Sequence, residues 1–399
     1  MKALIVGGGI AGLAAAIALH QGGHTPIVLE RGEKPAQDEG SWLQVASNGI
    51  RALHNLGLGA AVSAGGFPTP LLQTFDFTGR LTATLPLGSQ EEQLATRSIQ
   101  RAFLYRILRA ETLRRGITIQ PGTRVLSVTD EGDKASVLTG SLQHFAADIV
   151  IGADGIGSAV RRSFTARNVD ANRYTAAKKL PNLINLGGTY TSSKLSDTDG
   201  GATGTLQFHF GRDCFVGSVR VDASTIWWFA NPRTGAVAGG MRAAAGMRST
   251  DWQAALPSLL GSDALPVSDL LAGSGPLDVS HSRPPRPTLW GRGRVVLIGD
   301  AAHAIPPTAG QGASLALEDA VVLGQLARRS TPVAMLAASM KEQRGRRVAN
   351  IARQGALLDR SKTLGAIGAM VRDGIVLPSA AKRALRNPIA EMYRFNPTD

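Results

Sequence analysis

Three turns carry the residue types that could grip a polyphosphate. The first is Gly7-Gly8-Gly9-Ile10-Ala11-Gly12, which directly follows the apolar run Lys2–Val6 and opens an alanine-rich stretch. Gly7 permits a tight turn, Gly9 lets the backbone approach a pyrophosphate, and Gly12 lets helix and strand pack closely. A second apolar run, residues 26–29, ends in Glu30, near the spacing at which a carboxylate accepts bonds from an adenosine ribose. The second turn lies in residues 152–161, where an apolar strand delivers Asp154-Gly155 into an arginine-bearing helix, a further place where backbone and charge can meet polyphosphate. The third, residues 299–312, runs from a buried strand at 294–298 to a helical pattern at 313–327. Asp300 can bond a sugar hydroxyl there, and the helix start at Gly312 offers unpaired N–H groups and the positive end of a dipole to an anion. Strand, glycines, helix, strand and acid in this order read as a dinucleotide site. The fingerprint does not separate NAD from FAD, because both contain the same ADP half.

The elements needed to position these turns follow from hydrophobic periodicity. Residues 48–56 and 100–115 read as helices, the latter with Arg101 in its first turn, where a cation opposes the helix dipole and either answers an anionic neighbour or is an ordinary surface arginine. Residues 73–77 and 80–85 read as a hairpin, and 124–128 and 135–138 as strands. From about residue 174 to 281 the text becomes alternating and turn-punctuated, with strands at 183–191, 205–210, 214–221 and 225–230. The Pro284–Pro287 stretch then returns the chain in extended form, and helical patterns at 333–358 and 366–386 follow.

The fold class expected is α/β: a Rossmann-type, glutathione-reductase-like domain with a parallel sheet, an inserted mostly antiparallel sheet, and C-terminal helices. The cofactor domain takes residues 1–71, 95–173 and 282–360, the substrate domain 72–94 and 174–281, and a helical tail 361–399. The inserted sheet would roof an apolar cavity for a small substrate. Alternation puts Gln207 and His209 on one face of their strand and Phe208 and Phe210 on the other. Trp227, Trp228 and Phe229 offer flat contact area or core packing. His209 has a structural reading and a catalytic one, with no partner visible in the sequence.

Composition bounds the partners. A net charge of +13 would suit nucleic acid, an anionic membrane surface or anionic cofactors, but aromatic residues are only 5%, so no base-stacking platform is expected and no nucleic-acid partner. The densest basic run, residues 341–347, reads as a solvated helix face or an anionic docking patch. One cysteine, Cys214, excludes an internal disulfide and a cysteine-based metal cluster, and no metal site is expected. The uncharged stretch 3–19 is interrupted by glycines and short for a span, so neither a signal peptide nor membrane insertion is expected. The protein is expected to be cytoplasmic, as a monomer or homodimer.

The fingerprint with Glu30, the Asp-Gly segment 152–161 and the Gly-Asp segment 299–312 resemble the three marks of the single-component, FAD-dependent aromatic hydroxylases. That family includes the para-hydroxybenzoate and salicylate hydroxylases. The resemblance implies that Gly7, Gly9 and Gly12 hold the FAD pyrophosphate, that Glu30 and Arg31 serve the adenosine end, and that Ala11 and Val125 also contact the cofactor. It implies Arg101 at the phosphates or ribityl chain, Asp300 at the ribityl hydroxyls, and Asp154 in a motif shared between FAD and NAD(P)H. Pro307, Gly310, Gln311, Gly312 and Ala313 would lie along the isoalloxazine, and Leu43 is a further cofactor contact. Candidates for the substrate pocket are Gln44, Gln207, His209, Phe215, Trp228 and Pro307. Several relatives of this kind carry His, Lys or Arg on the strand where this chain has Cys214, Phe215 and Val216. That departure removes an enzyme-supplied base from the strand and favours a larger, apolar substrate held by burial.

The activity so implied is NAD(P)H reduction of FAD, capture of O2 as a flavin C4a-hydroperoxide, and hydroxylation or epoxidation of an aromatic or polycyclic small molecule. Two rivals remain at this stage. A flavin dehydrogenase or reductase-dependent halogenase keeps the fold, although residues 227–232 do not match the Trp-x-Trp-x-Ile-Pro of such halogenases. A non-enzymatic FAD redox sensor, docking through basic C-terminal helices, leaves the substrate sheet without a task.

Overall fold

A computed structural model describes the chain except residues 35–41, 166–183, 194, 196–200, 262, 264–272, 282–287, 330, 363, 365, 387–390 and 395–399. The expected boundaries at 173/174 and 281/282 and the Pro284–Pro287 stretch touch or lie within those gaps, outside the described residues.

The architecture is α/β. A six-stranded sheet has the order Gly291–Arg292, Val295–Leu297, Ile149–Gly152, Lys2–Val6, Thr25–Leu29, Thr118–Gln120, parallel except at its first pair. Strands such as Lys2–Val6 and Ile149–Gly152 are apolar at nearly every position because a parallel sheet is covered on both faces. The fully buried helix face of Ile10–Gln21 packs there, and against it lies the helix Gly312–Arg328. Their approach is close: a Cβ on Gly324 would come 2.8 Å from Ala18 Cβ.

A seven-stranded, mostly antiparallel sheet has the order Asp278–His281, Ile184–Thr191, Thr225–Pro232, Cys214–Arg220, Thr205–Phe210, Leu71–Phe75, Leu81–Pro86. The hairpin from the first third of the chain therefore completes the sheet built by the middle third. The helix Ser249–Leu260 covers one face with Trp252, Leu256, Leu259 and Leu260. The helix Leu336–Ser361 returns to the third turn, where Gly355 lets it pass close to Ala309 and Pro306.

Candidate functional site

The three turns singled out in the sequence are tied together in pairs. A Cβ on Gly7, whose φ is +104°, would come 2.6 Å from the Ala153 carbonyl oxygen, so the first turn lies directly on the Asp154 turn. Gly299, with φ +55°, would bring a Cβ 3.0 Å from Ala11, so the third turn lies on the first. Arg161 is buried and donates to the carbonyls of Ala301 and Ala302, at 3.1 and 2.9 Å, joining the second turn to the third. This corrects one expectation. Arg161 cements two turns through carbonyl oxygens that a short helix, Asp300–His303, would leave unpaired, rather than facing a polyphosphate.

Within this junction two helix N-termini meet, those of Ile10–Gln21 and Gly312–Arg328. Neither has a side-chain cap, and neither has an acidic residue in its first turn. A Cβ on Gly9 or Gly312 would meet nothing within 4 Å, so both starts face open space. Unpaired N–H groups and two positive dipole ends beside open space suit an anionic group. Glu30 stands at the rim, its two oxygens accepting from the N–H groups of Gly8 at 2.6 Å and Gly32 at 2.8 Å. Thr123 donates its N–H to the Glu30 carbonyl at 2.8 Å, which brings the strand of Val125 to the same rim. Arg31 is exposed beside it.

Asp154 uses Oδ2 to accept from the N–H groups of Ala159, at 2.6 Å, and Val160, at 3.2 Å, capping the following helix; its Oδ1 is buried without a partner among the described residues. Asp300 is exposed, opening the four-residue helix rather than closing the strand, which ends at Leu297. Arg101 is exposed at the start of Arg101–Arg114, next to the strand Arg97–Gln100 that pairs with Trp42–Val45 and so with Leu43. Gln44 approaches the third turn: a Cβ on Gly310 would come 3.5 Å from its Oε1, and its Nε2 is buried without a partner among the described residues. Pro307 is exposed in this turn, and Gly310 adopts φ +61°.

Beneath the third turn lies a charge cluster that sequence reasoning missed. Asp319 accepts from the Gly299 N–H at 2.9 Å, pairs with His303 Nε2 at 2.5 Å and with Arg344 at 2.8 Å, while Glu318 pairs with Arg344 at 2.5 Å and Arg347 at 2.8 Å. Asn48 donates to both Glu318, at 2.7 Å, and Gln311, at 3.0 Å, so the cluster also fixes the last side chain before the helix. Burial pushes the Asp319 carboxyl up, but the facing charges of His303 and Arg344 outweigh it and hold the group below its ordinary value. The basic run at 341–347 is thus not simply a solvated face. Arg344 and Arg347 answer two acids on the buried side of the neighbouring helix, a signal invisible without knowing which helices pack.

The substrate-side candidates divide by sheet face. Phe208, Phe215, Trp227, Phe229 and Asn231 share the face toward the third turn; Trp42 sits with its ring centroid 6.1 Å from that of Trp227 and 5.9 Å from that of Phe229. Gln207, His209 and Trp228 lie on the other face, away from that turn. Trp228 enters the dry core under Ser249–Leu260, His209 stacks on Phe75 at 4.6 Å, and Gln207 meets Gln73 at 3.3 Å. Of the sheet residues proposed for a pocket, Phe215 alone lies on the face toward the third turn. Alternation was read correctly, but the polar set lies on the face whose Trp228 joins the core under Trp252 and Leu256.

A model of the FAD binding domain matches residues 1–331. The chain is 29% identical over 363 residues to the FAD-dependent urate hydroxylase of Klebsiella pneumoniae, covering 88% of each. It is 30% identical over 347 residues to the chloroplastic zeaxanthin epoxidase of Solanum lycopersicum, covering 81% of this chain but only 47% of that longer protein. The fold is that of Klebsiella pneumoniae HpxO, solved with FAD and uric acid, with a TM-score of 0.80 at 23% identity over 98% of this chain and 96% of that one. Free backbone donors, an acid at the rim and the orphaned amide of Gln44 all fit the cofactor such proteins carry, and the chain belongs to the FAD binding domain family of flavoprotein monooxygenases and hydroxylases.

Proposed function

We propose that this flavoprotein uses NAD(P)H and O2 to insert one oxygen atom into an aromatic or polycyclic small molecule, by hydroxylation or epoxidation. The observation that carries the reading is the pairwise joining of three turns around two uncapped helix starts, facing a sheet whose aromatic side chains Phe208 and Phe229 are only half-buried. Bound FAD supplies electron transfer and oxygen activation. The chain's own residues bind, orient and exclude water. Gly7, Gly9, Ala11 and Gly12 would take the pyrophosphate, Glu30, Arg31 and Val125 the adenosine end, and Arg101 and Asp300 the phosphate and ribityl hydroxyls. Asp154 would serve both nucleotides. Leu43, Pro307, Gly310, Gln311, Gly312 and Ala313 would border the ring, with the Gly312 helix start supplying positive potential without a titrating side chain. Trp42, Phe215, Trp227 and Phe229 would wall the substrate and keep water from the reacting ring.

No helix among the described residues is long and apolar enough to cross a membrane. The reading keeps the protein in the cytoplasm, as a monomer or homodimer acting on a small molecule.

The test is anaerobic addition of NADH or NADPH to the purified yellow protein. The oxidised-flavin absorbance should bleach, return on admitting air, and accompany a product heavier by one oxygen when the correct substrate is present. No bleaching across a substrate panel would end the reading. Gly12→Val should be colourless, because its first side-chain carbon would fall 1.9 Å from the Gly7 carbonyl oxygen. Asp300→Ala should lose FAD if Asp300 has the role given to it.

A further inference from the structure

Lys362 follows the last residue of the helix Leu336–Ser361, and its side chain is only 3% exposed. Its Nζ donates to Asn231 Oδ1 at 2.5 Å and to Thr308 Oγ1 at 2.7 Å, and it lies 4.4 Å from the Phe215 ring centroid and 5.9 Å from that of Phe229. Asn231 is on the inner face of the sheet, and its Nδ2 is committed to the Ile184 carbonyl at 3.1 Å and Asn185 Oδ1 at 2.6 Å, so its Oδ1 is held toward the lysine. Thr308 directly follows Pro307 in the third turn, and its hydroxyl donates onward to Asp359. One amine therefore joins the C-terminal helix, the flavin-side turn and the substrate sheet.

An ammonium has three N–H donors. Two are used. The third has Asp359 Oδ1, its ion-pair partner, at the long distance of 3.7 Å, with the Phe215 and Phe229 rings beside it. A buried cation whose third donor meets only this long contact, beside aromatic rings, gains from a closer anionic acceptor.

We propose that Lys362 is the anion-binding end of the substrate chamber, its third N–H receiving a carboxylate or ionised-hydroxyl oxygen of the substrate while the inner-face rings hold the apolar body. This rests on the chamber being the substrate site, as proposed above. It also answers the departure at Cys214, Phe215 and Val216: the cation missing from that strand arrives over the Phe215 ring from another part of the chain.

The charge is conditional. Burial lowers the Lys362 amine to about 8, against the opposing pull of Asp359. The Cys214 thiol is itself pushed up to about 12, chiefly by burial, and so is neutral; Asn231 and Thr308, the polar neighbours from the sheet and the turn, do not titrate. Anion binding should therefore be strong at neutral pH and weaken as pH rises past about 8.

The experiment is equilibrium dialysis of the FAD-loaded protein against two matched pairs, 4-nitrophenol with 4-nitroanisole and benzoate with methyl benzoate. The anionic member of at least one pair should bind about tenfold to a hundredfold more tightly, the range of a charge-assisted hydrogen bond. The pair that discriminates names the acceptor. That preference should decline above about pH 8, vanish in Lys362→Met and persist to higher pH in Lys362→Arg, with flavin absorbance retained in both. Equal binding within both pairs by the unaltered protein, absence of binding by all four probes, or an unchanged preference in Lys362→Met overturns the assignment. The first two readings need no variant, so a misfolded substitution leaves the test intact. If the preference fails while NAD(P)H still bleaches the flavin, only the role of Lys362 falls. If bleaching fails while the preference stands, the monooxygenase reading falls instead.

Discussion

Trp228 and Phe229 are consecutive residues on one strand, point to opposite faces of the same sheet, and are accommodated by the same device. Each ring lies over a glycine directly across the ladder: a Cβ on Gly188 would come 2.8 Å from the Trp228 ring, and one on Gly217 would come 2.3 Å from the Phe229 ring. Their surroundings then diverge. Trp228 has no exposure, shares a core with Trp252 and Leu256, and donates its indole N–H to Ser274 Oγ at 2.7 Å. Phe229 stays half-buried among Trp42, Phe208, Phe215 and the Lys362 amine. One face is finished by the protein itself. The other is left incompletely filled, as a surface must be if a ligand is to complete it.

This contrast can be broken most forcefully at Trp228. Trp228→Ala should cost about 3–5 kcal/mol in thermal or urea unfolding, because a fully buried indole is replaced by a cavity and the Ser274 hydroxyl loses its donor. The flavin spectrum of whatever remains folded should not change. Phe229→Ala should cost about 1–2 kcal/mol, since less of that ring is removed from water. If the proposed monooxygenase reading holds, its larger effect belongs to the chemistry: water admitted beside the proposed reacting ring should raise the hydrogen peroxide released per NAD(P)H consumed. A Phe229→Ala protein as tightly coupled as the parent, or as unstable as Trp228→Ala, would show that the two faces do not differ in kind.

The four central strands of this sheet were legible almost to the residue, as at 205–210, because alternation and turn residues are local signals, whereas the strand read at 73–77 lies at Leu71–Phe75 and Asp278–His281 was not read. The glycine turns were legible for the same reason: Gly7 and Gly12 each answer to a steric demand from atoms a few residues or one strand away. Which face of the sheet meets the flavin-side turn was not, and Gln207, His209 and Trp228 fell one residue out of phase with Phe208, Phe215 and Phe229. A period of two fixes a partition but not a direction. Direction is set by what covers each face, here the helix Ser249–Leu260 on one side and Trp42 with Lys362 on the other. Arg344 and Lys362 were hidden for a related cause. Each meets partners 25 to 131 residues distant, Asp319 and Asn231 among them, and reads locally as one more cation on a helix or in a tail.

The finest test of the comparison uses His209, a titratable group on the finished face. Its ring has no exposure, stacks on Phe75 at an interplanar angle of 10°, and neither ring nitrogen has a partner among the described residues. Burial lowers its pKa to about 4 from an ordinary 6.5. The folded protein therefore keeps the ring neutral while the unfolded chain takes up a proton below pH 6.5, so the contribution is full above 6.5 and is lost as pH falls toward about 4. His209→Phe should remove that acid-side loss. Near pH 7.5 the change should be no more than about 1 kcal/mol, because release of two unsatisfied nitrogens is offset by the slightly larger ring. Urea midpoints at about pH 7.5 and about pH 5 distinguish the cases: the parent should lose stability between them and the variant should lose less. Equal losses would mean that the ring finds partners in solution. A change in substrate turnover with stability unaltered would be the more damaging result, since it would carry function to the face that the packing assigns to structure.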